Sequence, residues 1–412
     1  PEIKKWKKRE GAKWSPESDA QVKRLLYKQL KCKPPRGDYK TDKTTIAALN
    51  LDFADALLNY RKFKNCLSTF VMNLIKEQAH GYIHADMSLI FPVSYRGSCK
   101  MPNLQNNPSR DDVLAKMIKS CFIPRNGRQF DEYDFKAMEV CLSAAYHLDP
   151  NMIAYLTDPT KDMHWDVAQK VYCLEQWGKS DWADQSMFGK IRYNGKNGFV
   201  FPQFYGSWWK DCAYNMWQAV DELYAPTGIT LREHLANKGI DCLGELYNDD
   251  RGRLCADKGT FYQHMKDVEH DFWDKTFPVY NQWKQDSYKQ YCETGEVHYK
   301  TGLRVRDILG RNDCNNYNIQ GTAFQVLLKT LIETTKKIKR NKVEADFVLQ
   351  VHDSGLNDHT PEAREIVDGY LLDVIKEEIP REWDWLCVPL TLEVKRGFVG
   401  GSWYDTKNEE KL

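Results

Sequence analysis

Most of this 412-residue sequence reads as helix, and its few strand-like stretches lie far apart. FDEYDF at 130–135 and ADFVLQV at 345–351 must meet across all the intervening helices before they share a sheet. Each leads to a carboxylate where an apolar run gives way to a turn or helix. The first is Asp134 in YDFKAMEV; the second is Asp353 in VLQVHDSG, 219 residues later (353 − 134). The expected fold class is therefore α+β, mostly helical, with a small sheet carrying both acidic words. Hard divalent ions take oxygen ligands, so two converging aspartates are able to hold a pair of Mg²⁺ ions. Two such ions, roughly 3.5–4 Å apart, are the standard device for in-line phosphoryl displacement. Singly, each word is weak. An Asp at a strand end is more often a cap or turn residue, and a His-Asp pair arises often by chance.

The length suits two or three lobes at about 150 residues each. With 42% hydrophobic and 13% aromatic residues, a packed core is expected and disorder is not. The net charge of +1 neither supports nor excludes nucleic acid. Its distribution says more: residues 1–40 hold 13 Lys/Arg against 5 Asp/Glu, with Trp6, Trp14 and Tyr27 among them. Such a stretch is able to follow a phosphate backbone, although a solvated helix face is the better reading of it in isolation. Twelve cysteines without a CxxC pair fit a reducing compartment better than a disulfide framework. No apolar run approaches 18 residues and no signal-peptide core is present, so no membrane span is expected. The first residue is Pro1 rather than Met, which reads as a fragment or processed product with upstream domains missing.

Along the chain, SPESDAQVKRLLYKQL (15–30) predicts a helix capped by Ser15 with Pro16 at its first position. HGYIHADMSLIF alternates like a strand. CFIPR and FDEYDF flank the turn NGRQ as a hairpin would. After Asp134, Met138, Leu142 and Ala145 share a helix face. Residues 180–220 read as helix, weakened by Gly195, Gly198 and Pro202. Residues 225–262 lack periodicity, 262–293 and 315–340 return to helix, and ADFVLQV is expected to be a buried strand.

Other phosphate-binding groups lie between the two acidic words. Arg192 and Lys196 are spaced i, i+4 and share a helix face, where two cations are able to clamp a triphosphate. A solvated basic face is the plainer alternative. Tyr205, followed by Gly206, offers a ring to stack on a base pair, with core packing as its plainer role. The order of the words then resembles the family A (polymerase I-like) DNA polymerases. DFKAME, Arg192-x3-Lys196 running to Tyr205-Gly206, and VHD match the family's three motifs; PNLQNNPSR and NIQGTA match two further words. The resemblance covers nearly all of the chain and points to a polymerase fragment, with a phage or prophage type also in view. It implies a right-hand polymerase: a partial thumb at 1–80, the first part of the palm at 81–150, fingers at 151–312 with an insertion near 225–262, and the second part of the palm at 313–412.

The resemblance also implies roles. Asp134 and Asp353 look like the metal-binding pair for two Mg²⁺ ions, with Mn²⁺ as a substitute. Glu139 falls where a glutamate under the incoming sugar rejects a 2′-hydroxyl. His164, Arg192, Lys196 and Arg110 are similar to triphosphate contacts, with Lys196 also a proton donor to pyrophosphate. Phe201 is similar to a residue facing the sugar, and Tyr205 to a residue beside the templating base. Arg96, Asn316, Gln320 and His352 match contacts to the primer end or minor groove of primer-template DNA, where acceptors are nearly sequence-independent. Three departures stand out. Lys196 to Tyr205 spans nine residues where the family usually has eight, with Pro202 inside, so a bulge or kink is expected, and it leaves Phe199 as a rival to Phe201 for the sugar. Ser354 follows Asp353 where many members have Glu, which leaves a third metal ligand open. The stretch 225–262 is extra; its Cys242 and Cys255, with the nearby His264 and His270, make zinc conceivable, though their spacing does not support it. Two other functions compete with dNTP polymerisation. A single-subunit RNA polymerase would suit the His-Asp-Ser word but not Glu139. An inactive DNA-binding polymerase fold would be expected to lose some of these residues.

Overall fold

The computed structural model describes residues 14–34, 39–49, 51–109 and 111–412. Trp6 with the rest of 1–13, and Arg110, lie outside the described residues. The chain divides into two compact units. One comprises 1–88, 98–124 and 400–405; the other comprises 89–97, 125–399 and 406–412.

The first unit is built of short helices, including Asp19–Lys23, Lys43–Ala48, Ala54–Cys66 and Asp112–Lys119. Val22, Leu26, Ile46, Ala54 and Leu57 bury their side chains together. The first of these helices starts later than its sequence suggests. Ser18 is its cap and accepts from Gln21 N–H, because Ser15 Oγ is already taken by Glu17 N–H in a local turn. The alternating stretch at 80–91 forms no single strand. Tyr82–Ile83 pairs with Gln78–Ala79, and Asp86–Ser88 pairs with Ser98–Lys100.

The second unit holds a five-stranded antiparallel sheet. Its strands are β1 (Gln129–Phe135), β2 (Ala345–Val351), β3 (Ser354–His359), β4 (Leu392–Arg396) and β5 (Lys407–Lys411), in the order β2-β3-β1-β4-β5. The hairpin expected around NGRQ does not form. Strand β1 is paired on one side with β3 and on the other with β4, which leaves it no free edge for residues 121–125. Two arginines at that turn reach the sheet by side chain: Arg125 Nε donates to Asp358 at 2.6 Å and Arg128 Nη2 to Glu344 at 2.5 Å.

The expected burial of ADFVLQV is also corrected. Strand β2 lies at the sheet edge, with Asp346 and Val348 exposed, while every residue of the polar β3, SGLNDH, is buried. The polar interior is made tolerable by Asp131, which is fully buried. It accepts from Arg364 Nε (3.0 Å), Arg396 Nη1 (2.9 Å) and Gly397 N–H (3.0 Å), and His359 Nε2 lies 3.2 Å away. Burial pushes the Asp131 carboxyl up, but His359, the Gly397 amide and Arg396 outweigh it and hold it below its ordinary value.

Around the sheet lie α1 (Met138–His147), α2 (Met163–Tyr172), α3 (Gln185–Gly195), α4 (Trp209–Trp217), α5 (Phe261–Asp271), α6 (Pro278–Thr294) and the 30-residue α7 (Arg311–Arg340). Met138, Leu142 and Ala145 of α1 are all buried, as their spacing predicts. The helix expected over 180–220 is broken into α3, a π-helical turn at Lys196–Val200, one further turn at Phe201–Phe204, and α4. Its glycines are packing devices. A Cβ at Gly195 would lie 2.7 Å from the carbonyl oxygen of His164 and 2.8 Å from Ala168 Cβ, so glycine is what lets α3 approach α2. Three π-helical turns, at Lys196–Val200, Phe272–Thr276 and Val374–Glu378, each stop two residues before a proline: Pro202, Pro278 and Pro380. In each, the residue before the proline donates its N–H five residues back, to Lys196, Phe272 or Val374. The wider turn gives room for a ring that an α-helix rejects. Residues 225–262 contain a helix, Leu231–Asn237, with a Thr230–Glu233 capping box, and a hairpin pairing Leu246–Asn248 with Leu254–Ala256. No helix of the described residues is long and apolar enough to cross a membrane.

Truncating Asp131 to Ala would remove the buried carboxylate that Arg364, Arg396 and the Gly397 amide share, leaving Arg396 with Asp368 alone. Urea denaturation is expected to show a loss of roughly 3–5 kcal/mol. Lys275→Ala, which removes an exposed i, i+4 partner of Asp271, is the control and costs under about 1 kcal/mol.

Candidate active site

The two acidic words are brought together by register. Ser354 of β3 and Glu393 of β4 both stand opposite Asp134 of β1. At the end of β1, Phe135 N–H donates to the carbonyl of Asp353 at 3.2 Å, and Lys136 N–H to that of Thr391 at 2.9 Å. His352 and Asp353 form the two-residue connection between β2 and β3, since Val351 pairs directly with Ser354. His352 takes φ of +51°, a left-handed conformation that a non-glycine residue holds only when its surroundings fix it. Gln350 Nε2 donates to the His352 carbonyl at 2.6 Å and helps to fix it.

The electrostatics of the pair are unbalanced. Asp353 is pushed up to about 6, first by burial and then by the negative charges of Glu139 and Asp134, with Arg96 opposing. Asp134 is also raised, by burial and by Glu132 and Glu393, against Lys395. Each carboxylate thus lacks a sufficient cation. Ser354 does not fill the open third position: its hydroxyl lies 2.9 Å from the Val351 carbonyl and 3.2 Å from Glu132 Oε1, pinning the turn. Among the described residues, no group of three or more His, Cys, Asp or Glu is placed to hold a metal. The donor set near Asp134 and Asp353 is two hard carboxylates, which suits an ion completing its shell with water and phosphate oxygens.

A cavity of about 880 Å³ opens beside Asp134. Its lining includes Asp162, His164, Arg192, Lys196 and Phe201. The i, i+4 pair Arg192 and Lys196 therefore does share a face, although the π-helical turn begins at Lys196. That turn is the expected bulge; it absorbs one extra residue, the difference between nine and eight. It also separates the two phenylalanines. Phe199 is fully buried against Phe272, whereas Phe201 reaches the cavity, with Lys196 Nζ 4.9 Å above its ring and His164 edge-on at 5.9 Å. His164 is pushed down to about 4, by burial first and then by Arg192 and Lys196, and its buried Nδ1 has no hydrogen-bond partner.

A second, small cavity of about 40 Å³ adjoins Phe201 and Phe204 and is lined by Glu139, Tyr205, Tyr280, Asn316 and Gln320. Tyr205 Oη donates to Glu139 Oε2 at 2.5 Å; burial and that carboxylate raise the phenol. Arg96 lies close enough to lower both Asp353 and His352. Apart from Arg110, the sequence-predicted site residues thus gather around the two cavities and the turn between β2 and β3. Of the four zinc candidates, His264 Nε2 meets the Lys170 and Val171 carbonyls at 3.1 Å, His270 pairs with Asp274 at 2.5 Å, Cys255 Sγ lies 3.9 Å from Lys266 Nζ, and Cys242 is exposed.

Sequence reading missed two polar groups. Glu132 is buried two residues before Asp134 and adds negative charge to it; nothing in the alternating FDEYDF marked it out. Asp162 caps α2, accepting from His164 N–H (3.1 Å) and Trp165 N–H (3.2 Å), and also accepts from Arg192 Nε at 2.5 Å. An Asp just ahead of a helical pattern, in DMHWDVA, was the available signal.

Residues 2–190 match the model of DNA polymerase family A. The chain is 23% identical over 403 residues to DNA polymerase I of Caldicellulosiruptor bescii, covering 95% of this chain and 41% of that protein. It is 24% identical to DNA polymerase I of Aquifex aeolicus, covering 89% of this chain and 56% of that one. The chain thus spans about half or less of these relatives. Its fold is similar to the POL domain of Pol1 from M. smegmatis, solved in complex with DNA primer-template and dNTP. The TM-score is 0.70 at 19% identity, covering 98% of this chain and 64% of that one. The family match over residues 2–190 and these relatives all point to the family A, polymerase I-like DNA polymerases, and the fold is the mostly helical α+β fold of a polymerase domain.

Proposed function

We propose that the chain is a template-directed DNA polymerase, adding dNTPs to a primer 3′ end by two-metal phosphoryl transfer. The observation that carries this reading is the convergence of two under-compensated aspartates with a cationic cavity lined by His164, Arg192 and Lys196. The family carries a general dependence on divalent metal, and Asp134 and Asp353 are the residues that would hold it, as two Mg²⁺ or, in substitution, Mn²⁺. Bound there, the ions would activate the primer hydroxyl and stabilise charge on the phosphates.

The chain's own side chains would do the rest. Arg192 and Lys196 hold the triphosphate, and Lys196 passes a proton to the departing pyrophosphate. His164, neutral at pH 7, offers a ring N–H to a phosphate oxygen. Glu139, tied to Tyr205, closes the space a 2′-hydroxyl would need, while Phe201 faces the sugar. The ring of Tyr205 stands beside the templating base. Arg96, Asn316, Gln320 and His352 take the primer end and minor groove. In this reading the sheet is the palm, 151–312 the fingers and 1–80 a partial thumb. A cytoplasmic location with access to DNA goes with it.

Asp353→Ala is expected to lower primer extension by more than about a hundredfold, the cost of losing one preorganised electrostatic stabiliser. Extension at the wild-type rate by the folded variant, in a gel assay with Mg²⁺, would sink the reading. Glu139→Ala is expected to relax dNTP-over-NTP selection by at least about tenfold on one primed template. The metal-free protein supplies a third test. Because the folded state raises Asp353 from 3.8 to about 6, its contribution to stability is complete below about pH 4 and fades as pH rises through 6. Between pH 4 and 8 the loss is roughly 3 kcal/mol. Melting curves in EDTA should show it, and both Mg²⁺ and Asp353→Asn should suppress it.

A further inference from the structure

We infer that Asp162 is a positioning residue for the triphosphate, acting through Arg192 and the N-terminus of α2. The inference rests on the reading of the cavity as a dNTP site. One carboxylate serves two elements. Oδ1 caps the ten-residue α2 by accepting from the N–H groups of His164 and Trp165, and Oδ2 accepts from Arg192 Nε on α3. The close approach of the helices at Gly195 against His164 and Ala168 sets the same pair of elements from the packing side. Asp162 is therefore the polar link between the two phosphate-facing groups, His164 and Arg192.

The contact engages one of the five donors of the guanidinium. The Nη groups form no hydrogen bond among the described residues, and Arg192 lines the cavity. Holding Nε fixes the plane of the fork while the paired donors stay available for a phosphate, whose recognition by arginine depends on that plane. The alternative is a latch, in which Asp162 occupies Arg192 and must be displaced by substrate. A latch and a positioner give opposite signs on substitution. Both partners are about a third exposed, so the pair itself contributes little to stability, and its effect should appear in substrate binding.

Asp162→Asn isolates the contact with Arg192. Asparagine caps a helix as well as aspartate does, but it loses the charge-assisted bond to Nε. The experiment measures dATP affinity by titration calorimetry with Mg²⁺ and primer-template, alongside KM and kcat for extension. It compares wild type, Asp162→Asn, Arg192→Ala and the double variant. A positioner predicts that Asp162→Asn weakens dATP binding and raises KM about tenfold, with kcat within about twofold and the melting temperature unchanged. It also predicts no further loss in the Arg192→Ala background. An unchanged or tighter affinity, or additive losses in the double variant, would overturn the inference. Wild-type protein that binds dATP but does not extend primers would defeat the polymerase reading while leaving the effect on affinity to decide the role of Asp162. Wild-type protein that fails to bind dATP would overturn both.

Discussion

Strand β1 is hydrogen-bonded along both edges, to β3 on one side and β4 on the other, and this double pairing fixes where Asp134 stands. A slip of one residue would send Asp134 to the face now held by Tyr133 and Phe135, which belong to the main core, and would pull Asp131 from its arginines. The register is thus held by apolar burial and by a buried charge network at once. The same register places the backbone of Asp353 on Phe135 N–H and brings two carboxylates near enough for one to raise the other. The unbalanced charge of the proposed metal site is a consequence of sheet geometry.

The cationic side of the cavity depends on a different device. Arg192 and Lys196 are four residues apart, but the helix that carries them must also accommodate Pro202 and one residue more than the usual spacing. A π-helical turn meets both demands, because its wider ring takes up a residue and spares the proline a clash with the preceding turn. It turns Phe199 into the core and leaves Phe201 at the cavity. Gly195 and Gly198, which weaken the region as an isolated helix, are where α2 and Met216 come close. Intrinsic propensity is outweighed here by packing.

The site was more legible in the sequence than the sheet. Asp134, His164, Arg192, Lys196, Tyr205 and Asp353 could be picked out because chemistry confines such residues to short words in a set order. Strand β3 was hidden for the converse reason. SGLNDH has no apolar alternation; Arg125 pairs its Asp358, and its His359 lies against Asp131 of β1, which Arg364 and Arg396 hold, so its partners come from other segments. The apolar ADFVLQV looked buried yet forms an edge, since hydrophobicity alone does not say how many faces a strand covers.

The sequence by itself determined the helical character of the chain, the positions of the acidic and basic words, and the need for a distortion near Pro202, because local sterics and side-chain chemistry act over a few residues. Tertiary structure alone decided which strands flank β1, that Ser354 pins a turn, and that Asp162 joins two helices. Each of those depends on groups distant in sequence meeting in space, where burial removes water and makes every unpaired charge costly.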